Sequence, residues 1–162
     1  MSTRHHWVPV RSELVWEVLS DPWNYPVFVV GTAHLRAVEG DWPVVGAVLH
    51  HSFGAWPLMQ RGTSTLDGVD PGKRLELTAK GWPLGEARVV ISLLGRGDGT
   101  IVTIEEDAVS GPGSWVPRPL RALVIGLRNK ELLARLEDLA VGRLDASPAA
   151  ERAAGEASET AG

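Results

Sequence analysis

Two short clusters in this chain hold side chains able to move a proton. The first is His50-His51. An imidazole titrates near neutrality and can act as general acid or general base. Neighbours on an extended strand point to opposite faces, so only one of the two rings can face an interior. His51 shares its parity with Leu49 and Phe53 and is the inward one. Diverging rings make the pair a poor metal site, and no other ligand cluster accompanies it. The second cluster is Glu105-Glu106-Asp107. Glu106 shares its parity with Val102 and Ile104, which turns it inward and leaves Glu105 and Asp107 facing water. A buried carboxylate has a raised pKa unless it is paired, a property suited to proton transfer. Each cluster also has a plainer reading. His51 can be a hydrogen-bonded, partly buried core residue, and the acidic triplet can be a frayed strand end with all three side chains solvated. His51 and Glu106 are the candidate catalytic residues.

Other polar groups carry less. His34 and Arg36 lie where the strand parity is ambiguous. Ser52 adjoins His51 but points the other way, so no Ser–His dyad follows. There is no phosphate-binding glycine loop, nucleophile elbow or zincin spacing. Arg121, Arg128 and Arg135 recur at every seventh residue, which reads as a solvated helix face with a Glu131–Arg135 pair. Trp is over-represented, with 7 against 2 Phe and 1 Tyr. Trp56 and Trp82 can rim a pocket and stack on a flat ligand, or they can plug strand ends.

Positioning these residues requires strands. Leu75, Leu77 and Ala79 alternate with polar neighbours, as do Ala87, Val89, Ile91 and Leu93, and then Val102, Ile104 and Glu106. Period-two alternation marks half-buried strands. Asp70-Pro71-Gly72-Lys73 is a tight turn, and Gly95–Gly99 reads as a looser hairpin loop. Three Trp-Pro pairs, at 42–43, 56–57 and 82–83, mark strand ends or bulges. Ahead of these strands come a short strand through Val8 and an amphipathic helix with Ser12 as its N-cap. Val15, Val18 and Leu19 form the apolar face of that helix, and Pro22 ends it. A second short turn or helix spans Trp23 to Val29. A long helix runs from Leu120 to about Val141, its apolar stripe changing face near Gly126. Beyond Arg143 the chain turns to Ala, Glu, Ser, Gly and Pro, a composition suited to a flexible tail.

Composition narrows the class. The chain has 162 residues, no cysteine and a formal net charge of −4. It is expected to form one domain over residues 1–142, with a tail over 143–162. The absence of cysteine rules out disulfide and thiol chemistry. The mild negative charge argues against nucleic acid as a partner. Neither a signal peptide nor a membrane-spanning run is present, so a cytoplasmic protein without integral membrane association is expected. The oligomeric state is left open.

The order of elements is strand, short helix pair, six strands and long helix. It implies an α+β fold in which a curved antiparallel sheet wraps the C-terminal helix around a cavity. Trp16-Glu17-Val18-Leu19-Ser20-Asp21-Pro22 with Trp23-Asn24-Tyr25-Pro26 resembles the first-helix signature of the SRPBCC (START-like, helix-grip) superfamily. Gly40-Asp41-Trp42-Pro43, Asp70-Pro71-Gly72 and Gly99-Thr100 with Val102–Asp107 fall in the same order. The resemblance covers roughly residues 3–142 and is greatest to the polyketide cyclase/dehydrase and lipid-transport branch. It implies a cavity for a hydrophobic ligand without implying a reaction or a cofactor.

Parity then selects the residues expected to bind that ligand. They are His51, Phe53, Trp56, Leu77, Val89, Ile91, Val102, Ile104 and Glu106 from the sheet, and Val124 and Leu127 from the last helix. The Asp21–Pro26 corner is expected to close one end of the cavity, with Trp23 or Tyr25 at its mouth. Three functions fit. The first is binding of a lipid or polyketide-like molecule. The second is a polyketide cyclase, aromatase or dehydratase that uses the same cavity. The third is a protein-interaction module resting on the arginine stripe and the tail.

Overall fold

The computed structural model describes residues 2–54, 57, 59–81, 85–110 and 118–146, the side chains of 108–110 and 118–124 excepted. The element order matches the sequence pattern. Strand β1 (Ser2–Val8) leads into helix α1 (Ser12–Ser20), a 3₁₀ turn (Pro22–Asn24) and the single-turn helix α2 (Tyr25–Phe28). Six strands follow: β2 (Thr32–Glu39), β3 (Val48–Phe53), β4 (Gln60–Asp70), β5 (Arg74–Gly81), β6 (Gly85–Arg96) and β7 (Gly99–Ser110). Helix α3 (Arg118–Asp145) closes the fold. It starts before Leu120 and passes Val141, so the first residues assigned to the tail are helical. The rest of that tail, from residue 147, lies outside the described residues.

The seven strands form one antiparallel sheet in the order β1-β7-β6-β5-β4-β3-β2. Local chemistry explains the junctions. Helix α1 stops at Ser20 because Pro22 pushes Asp21 into an extended conformation. The Asp21 carboxylate then accepts from the Trp23 N–H at 3.0 Å and caps the 3₁₀ turn. Ser12 is the first helical residue rather than the cap, which is Arg11 without a side-chain cap bond. Lys73 N–H closes the β4–β5 turn onto the Asp70 carbonyl at 2.9 Å. The β6–β7 hairpin is tighter than its glycine content suggests. Pairing continues to Arg96↔Gly99, leaving only Gly97-Asp98 in the turn. Gly97 there has φ +62°, which glycine adopts without strain.

The ambiguous parity at His34 and Arg36 has a structural cause. Strand β2 shifts register twice against β3, between Thr32 and His34 and between Leu35 and Ala37. Each irregularity breaks the alternation, and both His34 and Arg36 face solvent. One continuous core runs through the grip and includes Leu49, Leu77, Ile91 and Ile104. Val8, Val15, Val18, Leu19, Val102, Leu133 and Leu136 are fully buried in it where α1 and α3 pack against the sheet. Helix α3 packs on α1, α2, β1 and β7. Its buried stripe runs through Gly126, Asn129, Leu132, Leu133, Leu136 and Ala140.

Candidate functional site

Between the concave face of the sheet and α3 lies a cavity of about 470 Å³. Its apolar wall comes from Phe28, Leu35, Leu49, Leu77, Val89, Ile91, Ile104 and Leu132. Alternation on β5, β6 and β7 aims every second residue inward, the β6–β7 register slipping once, between Glu86 and Ala87. Cross-strand register then aligns Leu77 with Val89 and Ile91 with Ile104. The volume falls within the range of small-molecule pockets, roughly 300–1,000 Å³.

His51 lies on this wall and His50 on the opposite face, as the strand parity requires. His50 Nε2 meets Glu39 Oε2 at 3.0 Å. His51 Nδ1 lies 3.4 Å from the Leu49 carbonyl, a long contact. Burial lowers the His51 pKa below the ordinary histidine value. The Leu49 carbonyl opposes that shift, while Arg36 and His50 add to it. The ring is therefore held toward its neutral form, with one nitrogen to donate and one to accept.

Phe53 adjoins His51, with ring centroids 6.3 Å apart. Two glycines on the neighbouring strands make room for these rings. A Cβ at Gly81 would lie 2.5 Å from the Phe53 ring, and one at Gly62 would lie 3.0 Å from Phe53 and 3.1 Å from His51 Nε2. Gly81 tolerates no side chain while the Phe53 ring stays in place, and at Gly62 the Lys80 carbonyl, 2.8 Å from the added Cβ, crowds it as well.

Glu106 projects inward from β7 with a side chain only 5% exposed. It is not alone. Arg128 of α3 donates from Nη2 to Glu106 Oε2 at 2.5 Å. The pair spans the space between sheet and helix, and both residues line the cavity. No hydrogen bond joins His51 to Glu106 among the described residues. Among the described residues, two further polar atoms at the wall are sealed without a partner, the Tyr25 hydroxyl and Arg128 Nε. Burial pushes the Tyr25 hydroxyl pKa well up, so its proton stays in place. Across strands β5 and β6, Lys80 Nζ sits 3.4 Å from Glu86 Oε2.

The structure gathers His51, Phe53, Leu77, Val89, Ile91, Ile104 and Glu106 around one space. It places four expected residues differently or beyond description. Val102 shares their face but is fully buried in the packed core and does not reach the cavity. Leu127 is 59% exposed, because the turn of α3 that meets the sheet is set by Gly126, Asn129 and Leu133 instead. Trp56 and the side chain of Val124 lie outside the described residues, as does Trp82. Arg128 also departs from expectation. Far from lying on a solvated stripe, it turns to Glu106, whereas Arg135 does pair with Glu131 at 2.9 Å. The corner contributes Tyr25, buried on the wall, while Trp23 is 60% exposed and absent from the lining. The sequence does carry a signal for Arg128: it stands four residues before Leu132, on the same helix face.

Among the described residues no group of His, Asp and Glu could hold a metal ion, and no helix is long and apolar enough to cross a membrane.

No protein-family model matches the chain, and no curated protein sequence matches it. Solved structures do. A START superfamily protein from Mycobacterium smegmatis superposes with TM-score 0.70 at 16% identity, covering 86% of this chain and 96% of that one. The chain has the START-like helix-grip fold. StfQ, the di-domain ARO/CYC of the steffimycin biosynthetic pathway, shares that fold with TM-score 0.70 at 13% identity, covering 88% of this chain and 50% of StfQ. DynU16, from the dynemicin biosynthetic locus, reaches 26% identity with TM-score 0.58, covering 85% of this chain and 45% of DynU16. The chain thus spans about half the length of each of these two biosynthetic proteins. In the helix-grip arrangement the sheet supplies His51, Phe53 and Glu106, and the closing helix supplies Arg128 and Leu132.

Proposed function

We propose that this chain binds a small hydrophobic molecule, a lipid or polyketide-like compound, in the cavity between sheet and α3. The observation that carries this reading is the cavity itself: about 470 Å³ of space walled mainly by apolar side chains. Interiors otherwise pack with few voids larger than a water molecule. The lack of cysteine and the net charge of −4 accord with a cytoplasmic carrier or sensor that does not engage nucleic acid. Native mass spectrometry of freshly purified protein, with thermal-shift screening against lipids and aromatic polyketides, tests the reading. A co-purifying apolar mass, or a rise in melting temperature with an apolar compound, is expected. No bound mass and no shift with any apolar compound would contradict it.

A second reading is a polyketide cyclase, aromatase or dehydratase that uses the same cavity. The ARO/CYC name of StfQ and the His51 imidazole on the wall, held toward its neutral form by burial, favour it. The cavity would fold the substrate, and His51 would move protons with Glu106. An activity assay of His51→Ala and Glu106→Gln on polyketide substrates is the check. Undiminished turnover in both variants removes those roles.

A further inference from the structure

The charges on the cavity's described lining cancel. That lining carries two cations, Lys80 and Arg128, and two anions, Glu86 and Glu106. Each cation has its anion, Lys80 with Glu86 at 3.4 Å and Arg128 with Glu106 at 2.5 Å. The Glu106–Arg128 pair is the deeper, since the Glu106 side chain is only 5% exposed. His51 adds no charge while burial holds it toward its neutral form.

We propose that Glu106 makes the cavity selective for uncharged ligands by occupying Arg128, the guanidinium that would otherwise receive a ligand's carboxylate. This rests on the ligand-binding reading above and narrows it. A carboxylate entering the cavity leaves its water and finds Arg128 already neutralised. Its desolvation is then uncompensated, and the nearby Glu106 repels it. An ester, ketone or phenol loses far less on leaving water. It can use the donors that have no partner among the described residues, Arg128 Nε–H and the Tyr25 hydroxyl, both sealed at the wall until the lining gives slightly. The ligand class is therefore a neutral, largely apolar molecule carrying an acceptor oxygen, not a free fatty acid.

The test uses three probes with one polyene chain: cis-parinaric acid, its methyl ester and the corresponding primary amine. Fluorescence titration of the full chain at neutral pH is expected to show the ester binding at least ten-fold tighter than the acid, about 1.4 kcal/mol. The amine should also bind more weakly than the ester. Glu106→Gln frees Arg128 and should bring the acid level with the ester or ahead of it. Glu106→Leu combined with Arg128→Met removes both charges and should keep the preference for the ester. The outcomes separate the two claims. Binding of none of the probes to the wild type counts against the ligand-binding reading itself. Equal binding of acid and ester, or tightest binding of the amine, overturns only the selectivity. An acid-to-ester ratio unchanged in folded Glu106→Gln removes the role from Glu106. Should that variant fail to fold, the wild-type ranking of the three probes still decides.

Discussion

The two ends of the grip use similar apolar side chains for opposite results. At the packed end, α1, β1, β7 and the second half of α3 interlock, and Val8, Val15, Val18, Leu136 and Ala140 have essentially no exposure. At the cavity end the same strands β5 to β7 present Leu77, Val89 and Ile91 to open space rather than to another layer. The difference lies in what faces the sheet. The packed end receives a helix on each side of the contact, α1 and α3. The cavity end receives a single turn of helix, α2, with Arg128 and Leu132 of α3. Where packing is complete, it supplies stability. Where it is incomplete, the polar groups Glu106, Arg128 and His51 acquire consequences that a filled core would not allow.

Truncation should expose this contrast most strongly. Leu136→Ala removes a fully buried side chain from the packed end and should cost about 4 kcal/mol in urea unfolding. Val89→Ala borders existing space and should cost only about 1 kcal/mol. Similar losses at both sites would erase the distinction between the ends.

The Glu106–Arg128 pair comes next. Arg128→Met leaves a buried carboxylate without its partner and should destabilise by about 3 kcal/mol. The Glu106→Leu/Arg128→Met double variant should recover most of that loss, because replacing both charges avoids the unpaired anion. A double variant as unstable as the single one would show that the pair is held by packing and not by charge.

A smaller effect is expected at Gly81. Alanine there puts a Cβ into the Phe53 ring, so Phe53 must rotate away at about 1–2 kcal/mol. A crystal structure of Gly81→Ala should show Phe53 displaced and that end of the cavity reshaped. An unmoved ring would sink the claim that the two glycines shape the site.

The smallest effect is a pH dependence. The folded pKa of His51 lies below its unfolded value, so below about pH 6.5 the unfolded chain takes up the proton more readily. This contribution to stability is present above the ordinary histidine pKa and is lost as pH falls through it toward the folded value. His51→Gln should therefore flatten the stability profile between neutral and mildly acid pH. An unchanged slope would mean that His51 is not desolvated.

Legibility in the sequence followed the same divide. On β5, β6 and β7 the register holds through Leu77, Val89, Ile91, Ile104 and Glu106, its one slip lying between Glu86 and Ala87, so parity alone places these five on the inner face. On β2 two register shifts scrambled it, so nothing in the sequence could assign His34 and Arg36. The helix was harder. A seven-residue arginine spacing looks the same whether one member turns inward or all three are solvated, and only the position of Glu106 on another element decides. The exposure of Leu127 is hidden for a related reason: a stripe that changes face at Gly126 does not say which face meets the sheet. The relief cut by Gly62 and Gly81 is a cross-strand property of Phe53 and His51, which local spacing cannot show. The element order and the Asp21–Pro26 corner, being local, read through directly.

The most direct test fills the space. Ala79 lines the cavity, and Ala79→Trp should occupy much of it while leaving the packed end intact. Titration of methyl parinarate into wild type and Ala79→Trp, with circular dichroism confirming the fold of both, isolates the cavity as the cause of binding. The account predicts saturable one-site binding to the wild type and its loss in the filled variant. Equal binding to both proteins would contradict it.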